Sequence, residues 1–307
     1  MRLRRSLAWI FAVVLVGTEP GFVLGQGPRT AATPVSFPAV EKDIPYADGG
    51  DEQKLDLYLP REKGFATVVF TYGGGWHSGS RKSVAAVGET LQGLGFGCAL
   101  LSHRLSPRDK FPAQADDVSA GFAWVKRHIA DRGGDPGHVF LAGHSSGAQL
   151  SLLLATDPRY LAKHELSPAD VGGVVGLSSP VDLEPRKDGQ GFGNVLMAGR
   201  GADVFSRNAD VMKDASPIQH VSKGLPPVLL VVGERDFPML EGDARAFVQK
   251  AKDLDRPAAL FVARGCDHMG VVKALVEGKS TVQEQVVKFL SHRADAQHSI
   301  PRPDVGR

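Results

Sequence analysis

Short apolar runs alternate along most of this chain with longer stretches in which apolar residues recur every three or four positions. The runs are typical of buried strands, and the longer spacing is typical of helices that bury one face. In residues 113–130 this spacing puts four apolar side chains on one side of a helix, namely Val118, Phe122, Val125 and Ile129. Alternating strands and helices predict an α/β fold with a mostly parallel central sheet and helices on both faces.

The boundaries of the predicted elements lie where the spacing of apolar residues changes. Strands are expected at residues 54–59, 67–72, 97–102, 139–142, 172–177, 227–232 and 258–262. Helices are expected at 83–94, 113–130, 148–155 and 241–254, with a closing helical region at 271–291. The first strand alternates polar and apolar residues, which indicates a half-buried antiparallel edge strand. Residues 184–215 are Gly-rich and charged, and we interpret them as a short lid-like insertion.

Residues 1–25 have the layout of a secretory signal peptide. Arg2, Arg4 and Arg5 precede an apolar core at 7–16, and small residues lead to Gly25. The core is shorter than the ~20 apolar residues of a membrane-spanning helix. We therefore expect a secreted or periplasmic protein, with an uncleaved N-terminal anchor as the alternative.

The rest of the 307-residue chain is expected to form one large domain. The expected segments are an extended lead-in at 26–50, the α/β domain at 51–295 and a flexible tail at 296–307. The leader contains three arginines and one glutamate, so the chain without it has equal numbers of basic and acidic residues. A balanced charge excludes nucleic acid and anionic membranes as expected partners. Cys98 and Cys266 fall in different elements, and no disulfide is expected.

The pentapeptide Gly143–Gly147 (Gly-His-Ser-Ser-Gly) lies between an apolar, β-prone run at 138–142 and a helix-prone run at 148–155. A serine in a sharp strand-to-helix turn is held in a strained, exposed position. The two glycines are expected because a Cβ at either position would collide with the neighbouring strand or helix. Ser145 is therefore the candidate nucleophile, and an ordinary Gly-Ser turn is the alternative.

A serine nucleophile needs a base and a group that orients the base. Asp236 follows the strand predicted at 227–232, and His268 follows the last predicted strand. We expect His268 to be the general base and Asp236 to orient its imidazole, with Asp182 as the rival acid. His144 is expected to point its side chain away from Ser145, and His103 is expected to pack locally.

The segment Tyr72-Gly73-Gly74-Gly75-Trp76 follows a buried strand and can supply N–H donors to a tetrahedral oxyanion. Gly74, Gly75 and the amide of Ser146 are the predicted donors. Trp76 is predicted to form part of the substrate-pocket wall. This loop contains no G-x-G-x-x-G and no G-K-[ST] sequence, so a nucleotide site is not expected in it.

These motifs together resemble the α/β-hydrolase superfamily, in the esterase and lipase branch with an H-G-G-G-W oxyanion loop. The chain is similar to hormone-sensitive-lipase-like carboxylesterases, and more so to small bacterial esterases and arylformamidase relatives. The resemblance covers about Asp51 to Leu290. It implies Ser145, Asp236 and His268 as the catalytic triad. Tyr72 stands where the family usually has histidine, and His103 replaces a more usual tyrosine.

The expected activity is that of a serine hydrolase that cleaves short-chain carboxylic esters of the acetyl type through an acyl-enzyme. No metal and no cofactor are expected, the partner is a small-molecule ester, and the oligomeric state is not predicted. The alternatives are an arylformamidase-like amide hydrolase, a peptidase, or a catalytically inactive binding protein. The predicted insertion shows no broad apolar surface, so a shallow pocket is expected, with room for acyl groups of about two to four carbons.

Overall fold

The computed structural model describes residues 39–199 and 201–298. The predicted leader, residues 26–38 of the predicted lead-in and residues 299–307 of the predicted tail lie outside the described residues. The described strands form one sheet. They are β1 (Ala39–Pro45), β2 (Lys54–Leu59), β3 (Phe65–Thr71), β4 (Gly97–Leu101), β5 (Gly134–His144), β6 (Val174–Leu177), β7 (Val228–Arg235) and β8 (Ala258–Asp267).

The sheet is mostly parallel, as predicted. Its strand order is β1-β2-β4-β3-β5-β6-β7-β8. Strand β2 runs antiparallel to both β1 and β4, and the pairs from β4 to β8 are all parallel. Because the parallel strands point the same way, their carboxyl ends meet at one edge of the sheet, where ligands bind in folds of this kind.

Helices cover both faces of this sheet. They are α1 (Ala85–Gly93), α2 (Ala113–His128), α3 (Ser146–Thr156), α4 (Pro158–Ala162), α5 (Phe192–Ala198), α6 (Gly201–Val204), α7 (Ala209–Asp214), α8 (Pro238–Lys252), α9 (His268–Val276) and α10 (Thr281–His298). The apolar side chains of α2, α3 and α8 belong to one core cluster. Those of α1, α9 and α10 belong to the other.

Alternation along the strands explains the two cores. In β3, Val69 belongs to the first cluster, whereas Val68 and Phe70 belong to the second. Successive side chains of a strand point to opposite faces, so a strand covered on both sides is apolar throughout. This is why Val68, Val69 and Phe70 are consecutive apolar residues in the sequence.

The structure departs from the predicted boundaries at the N-terminal side of the sheet. Strand β1 begins at Ala39, upstream of the domain start predicted at Asp51, and pairs with β2. Strand β2 is therefore not the predicted edge strand, and five of its six residues are buried. The predicted insertion at 184–215 contains the short helices α5, α6 and α7, and the closing region divides into α9 and α10.

Candidate active site

Ser145 lies in the turn between β5 and α3 and has φ 53° and ψ −124°. A positive φ is uncommon for a residue with a side chain, so this conformation has to be imposed by its surroundings. A Cβ on Gly143 would lie 2.5 Å from the backbone carbonyl of Gly147, and one on Gly147 would lie 2.2 Å from the carbonyl oxygen of Thr71. The predicted reason for both glycines, close approach of helix and strands, is confirmed.

The structure brings the three predicted triad residues together. The Nε2 atom of His268 lies 2.9 Å from Oγ of Ser145. The Nδ1 atom of His268 lies 2.7 Å from Oδ1 of Asp236. An imidazole that donates through Nδ1 to the carboxylate leaves the lone pair of Nε2 to accept the serine proton. These residues follow β5, β7 and β8, so three strand ends build the arrangement.

Asp236 has further hydrogen-bond partners that the sequence did not indicate. Ser178, at the end of β6, donates its hydroxyl to Oδ2 of Asp236 at 2.6 Å. The N–H of Phe237 donates to Oδ1 at 2.8 Å. Burial opposes ionisation of Asp236, but the hydrogen bonds from His268, Ser178 and Phe237 outweigh it and lower the pKa of the carboxyl below its ordinary value. The carboxylate is thus held ionised beside the imidazole.

The rival acid lies elsewhere. One carboxylate oxygen of Asp182 accepts the N–H of Glu184 at 3.1 Å. The other lies 3.3 Å from the guanidinium of Arg186. Asp182 therefore forms hydrogen bonds at the start of the insertion, and Asp236 is the carboxylate that contacts His268.

Two other histidines lie near the site and have different surroundings. The Nε2 atom of His144 donates to the backbone carbonyl of His268 at 2.9 Å. His103 is 1% exposed and packs locally, as predicted. Within residues 39–199 and 201–298, no group of three or more His, Cys, Asp or Glu residues is placed to hold a metal ion.

The Gly-rich loop lies directly over Ser145. A Cβ on Gly73 would lie 3.0 Å from Cβ of Ser145. The N–H groups of Gly74 and Gly75 donate to no other group among the described residues. Ser146 is the first residue of α3, and the first N–H groups of a helix have no partner within it. These three donors are therefore free to meet an anionic oxygen that forms beside Ser145.

Tyr72 supports this loop from below. Its ring is 1% exposed and stacks on His103, with centroids 4.7 Å apart and planes 11° from parallel. Its hydroxyl lies 3.4 Å from the carbonyl oxygen of His103. The two positions at which the chain departs from the family pattern are thus in direct contact, next to the Gly-rich loop.

Trp76 lines the cavity in front of Ser145, at the place predicted for it. Its side chain is only 2% exposed, however, because the indole is fixed in the core. The ring N–H donates to Gln149 at 2.8 Å, and Phe205 packs edge-on at 5.1 Å. Trp76 therefore forms a fixed part of the wall.

The cavity has a volume of about 1420 Å³ and is larger than the shallow pocket predicted from the sequence. Part of its wall comes from the insertion, where Phe192, Val195 and Leu196 lie on one side of α5. Phe237 and Met269 add exposed apolar surface, at 46% and 62% exposure. The insertion thus has an apolar face, although α5 is too short for its periodicity to stand out in a charged segment.

A strained serine, a hydrogen-bonded histidine and carboxylate, and a glycine loop at the carboxyl edge of a parallel sheet together define the architecture of an α/β-hydrolase. A profile of the BD-FAE family matches residues 55–250, which is more than half of the chain. The chain belongs to the BD-FAE family, a hormone-sensitive-lipase-like family of α/β-hydrolases. The predicted resemblance is confirmed.

Several curated relatives have names that refer to ester hydrolysis. "Esterase LipC" of Mycobacterium tuberculosis is 32% identical over 219 residues, which cover 67% of this chain and 54% of the relative. "Probable carboxylic ester hydrolase LipM" of the same organism is 30% identical, covering 86% and 64%. "Isoprenylcysteine alpha-carbonyl methylesterase ICME" of Arabidopsis thaliana is 26% identical, covering 82% and 62%. The chain spans between half and two thirds of the length of these relatives.

Solved structures confirm the fold. A truncated carbohydrate esterase from gut microbiota is 20% identical and has a TM-score of 0.72, covering 84% of this chain and 96% of that one. Esterase B from Lactobacillus rhamnosis also has a TM-score of 0.72 at 20% identity, covering 84% and 87%. At these identities the likeness establishes a shared α/β-hydrolase fold.

Proposed function

We propose that this chain hydrolyses carboxylic esters through a covalent acyl-serine. The observation that carries the proposal is the continuous hydrogen-bonded chain from Ser145 through His268 to Asp236 beneath a loop with free N–H groups. The esterase names of the sequence relatives support ester hydrolysis.

Acylation follows from the positions of the atoms. His268 accepts the Ser145 proton at Nε2 while Oγ attacks the ester carbonyl carbon, and the carbonyl oxygen becomes an oxyanion. The N–H groups of Gly74, Gly75 and Ser146 stabilise this oxyanion, each by roughly 3 kcal/mol. The imidazolium, held by Asp236, then gives its proton to the leaving alkoxide. The C–O bond breaks, the alcohol departs, and the acyl group stays on Ser145.

Deacylation repeats these steps with water. His268 takes a proton from water, the hydroxide adds to the acyl carbon, and the second oxyanion uses the same donors. When this intermediate collapses, His268 returns the proton to Oγ of Ser145 and the carboxylic acid leaves. Each atom of water ends in a product or on the enzyme, so no further co-reactant is needed.

We propose a short acyl group, of the acetyl type. The wall beside the oxyanion loop consists of the backbone of Gly73–Gly75 and the buried Trp76, which Gln149 and Phe205 hold in place. A wall fixed in this way has no side chain that can move aside for a long acyl chain. With a constant p-nitrophenol leaving group, kcat/KM should be highest for acyl groups of about two to four carbons and should fall steeply by octanoate.

A panel of substrates tests the activity and its alternatives. Purified protein should hydrolyse simple acyl esters, with acetylated sugars as a second ester class, more rapidly than formylated amines. A serine-directed phosphonate should label Ser145 covalently. Faster cleavage of formylated amines would support an arylformamidase-like amide hydrolase instead. Absence of both turnover and labelling would support a binding protein without activity.

We propose export of this chain on the basis of residues 1–25, which lie outside the described residues. Within the described ranges, no helix is long and apolar enough to span a membrane. N-terminal sequencing of exported protein should start near Gln26 if the leader is removed. Accumulation of full-length protein in the cytoplasm would contradict export and would favour the amide-hydrolase alternative.

A further inference from the structure

The cavity does not end at the nucleophile but continues into the space between α1 and α9. Val84 and Val87 line one side of this extension, and Val272 and Val276 line the other. We call it the α1–α9 groove. Val84, Val272 and Val276 are half-buried, and Val87 is buried. The groove is thus an open apolar channel joined to the catalytic site, for which the acyl-transfer steps described above give no role.

The sequence of α9 sets the direction and length of the groove. His268 is the first residue of α9, and Val272 and Val276 follow at successive four-residue steps. Residues four apart in a helix lie on the same face. With a rise of 1.5 Å per residue, the row from His268 to Val276 is about 12 Å long. The groove therefore begins at the imidazole and runs away from it over two helical turns.

The chemistry of the groove favours an uncharged, apolar occupant. Its inner side is formed by valines that pack against the second core cluster. At its rim, Lys273 and Glu277 are exposed and form an ion pair with each other at 3.4 Å. Each charge therefore has a partner already, and water remains available to both. Apolar surface removed from water supplies the binding free energy in such a channel.

The reaction geometry determines which part of an ester reaches this groove. The protonated Nε2 atom of His268 has to lie next to the oxygen of the leaving alcohol. The oxyanion lies against the Gly-rich loop, and the acyl group lies against the wall that includes Trp76. We propose that the α1–α9 groove binds the alcohol portion of the ester and selects elongated, apolar alcohols. This inference rests on the proposed esterase function and adds the substrate class on the leaving-group side.

A substrate series with one acyl group tests the proposal. Acetates of primary n-alkanols from ethanol to octanol keep the acyl group constant and the leaving-group acidity nearly so. If the alcohol lies in the groove, kcat/KM should rise about twofold to fourfold for each added methylene. A flat or falling series in an active enzyme would overturn the proposal.

Substitutions in the groove should remove this dependence. Val276→Lys places a charge at the far end, and Val276→Gln is a second, uncharged polar replacement. Either should lower the octyl-to-ethyl ratio of kcat/KM by at least tenfold. Leu94→Lys is the matched control, because Leu94 is a 39% exposed apolar residue next to α1 that does not line the cavity. An unchanged ratio in both Val276 variants would count against the groove.

A binding experiment separates failure of this inference from failure of the proposed function. Cys266 is half-buried and lines the cavity close to His268. Cys98 is fully buried, and burial raises the pKa of its thiol, so it stays unreactive. In the Ser145→Ala protein, 1-octanol should slow labelling of Cys266 by a maleimide severalfold, whereas ethanol at the same concentration should not. Protection without ester turnover in the wild type would leave the groove in place and refute only the esterase. Turnover without protection would refute the groove.

Discussion

The imidazole of His144 donates a hydrogen bond from Nε2 to the backbone carbonyl of His268, 2.9 Å away. The two rings lie with their centroids 4.9 Å apart. The residue immediately before Ser145 thus holds the backbone of His268. Asp236 accepts a hydrogen bond from Nδ1 of the His268 imidazole. His268 is therefore positioned through both its main chain and its side chain. This contact links the end of β5 to the start of α9 across the active site.

The protonation state of His144 should make stability depend on pH. Burial lowers the pKa of His144 from 6.5 to about 4. Between these values the unfolded chain binds a proton that the folded chain does not, so stability is complete above pH 6.5 and is lost as the pH falls towards 4. The loss should be on the order of 3 kcal/mol. In urea unfolding at pH 7 and pH 4.5, His144→Gln should lose less stability than the wild type. Equal losses would contradict the assignment.

Ser145→Ala should abolish most ester hydrolysis, by a factor on the order of 10⁴ or more in kcat, because it removes the hydroxyl that lies 2.9 Å from Nε2 of His268. The fold should survive, as shown by an unchanged circular dichroism spectrum. Ser146→Ala is the matched control, since its hydroxyl has no hydrogen-bond partner among the described residues and its amide is retained. Phosphonate labelling at Ser146 in the wild type would show that the wrong serine has been assigned.

Replacing Asp236 should lower kcat far more than replacing Asp182. Asp236→Asn removes the carboxylate that orients and stabilises the imidazolium, so kcat should fall by a factor on the order of 10⁴. Asp182→Asn changes a contact with Arg186 at the start of the insertion and should alter kcat by less than about threefold. Steady-state kinetics with a p-nitrophenyl ester measure both. The reverse ranking would move the acid to the end of β6.

Ser178 should influence the acid limb of the pH profile. Its hydroxyl stabilises the ionised form of Asp236, so Ser178→Ala should raise the pKa of that carboxyl. Activity that needs ionised Asp236 should then be lost at a higher pH as the solution is acidified, and kcat should fall by about tenfold. Ser179→Ala is the control, because its buried hydroxyl donates to the carbonyl of the next residue, Pro180, and not to Asp236. Identical pH profiles for wild type and Ser178→Ala would contradict this role.

The stacked pair of Tyr72 and His103 should behave as a unit. Tyr72→His alone would stack two histidine rings, and His103→Tyr alone would stack two tyrosine rings, in a space that fits one ring of each kind. Either single change should displace the Gly-rich loop and lower kcat. The double exchange restores one ring of each kind, so kcat should recover by about tenfold over the poorer single variant, a coupling within the range for residues in contact. Additive losses would show that the two positions act independently.

Much of the site could be predicted because it lies in local sequence signals. The glycines on either side of Ser145 indicate that the backbone of this turn lies close to a neighbouring strand and helix. The chain order places Asp236 and His268 after later strands. The choice of Asp236 over Asp182 also came from chain order, and the hydrogen bond to His268 now gives it a geometric basis. Parallel strands bring such strand-end residues together without any further sequence signal.

The features that were missed depend on tertiary contacts. Strand β1 is mostly exposed and mixes apolar with charged residues, and it is held in the sheet by its pairing with β2. Ser178 reaches Asp236 across 58 positions of sequence. Its only cue was its place at the carboxyl end of a predicted strand. The depth of the cavity depends on how α1 and α9 are spaced, and neither helix encodes that spacing by itself.

The order in which the chain is synthesised has a consequence for when activity can arise. Ser145 is translated well before β7 and β8, which carry its acid and base to the site. Domains fold as units as they leave the ribosome, so the serine hydroxyl stays unassisted until the last strand is in place. A shortened chain that ends before Ala258 would contain Ser145 but neither β8 nor His268. Ester turnover is therefore a measure of completed folding, because it starts only when the final strand has docked.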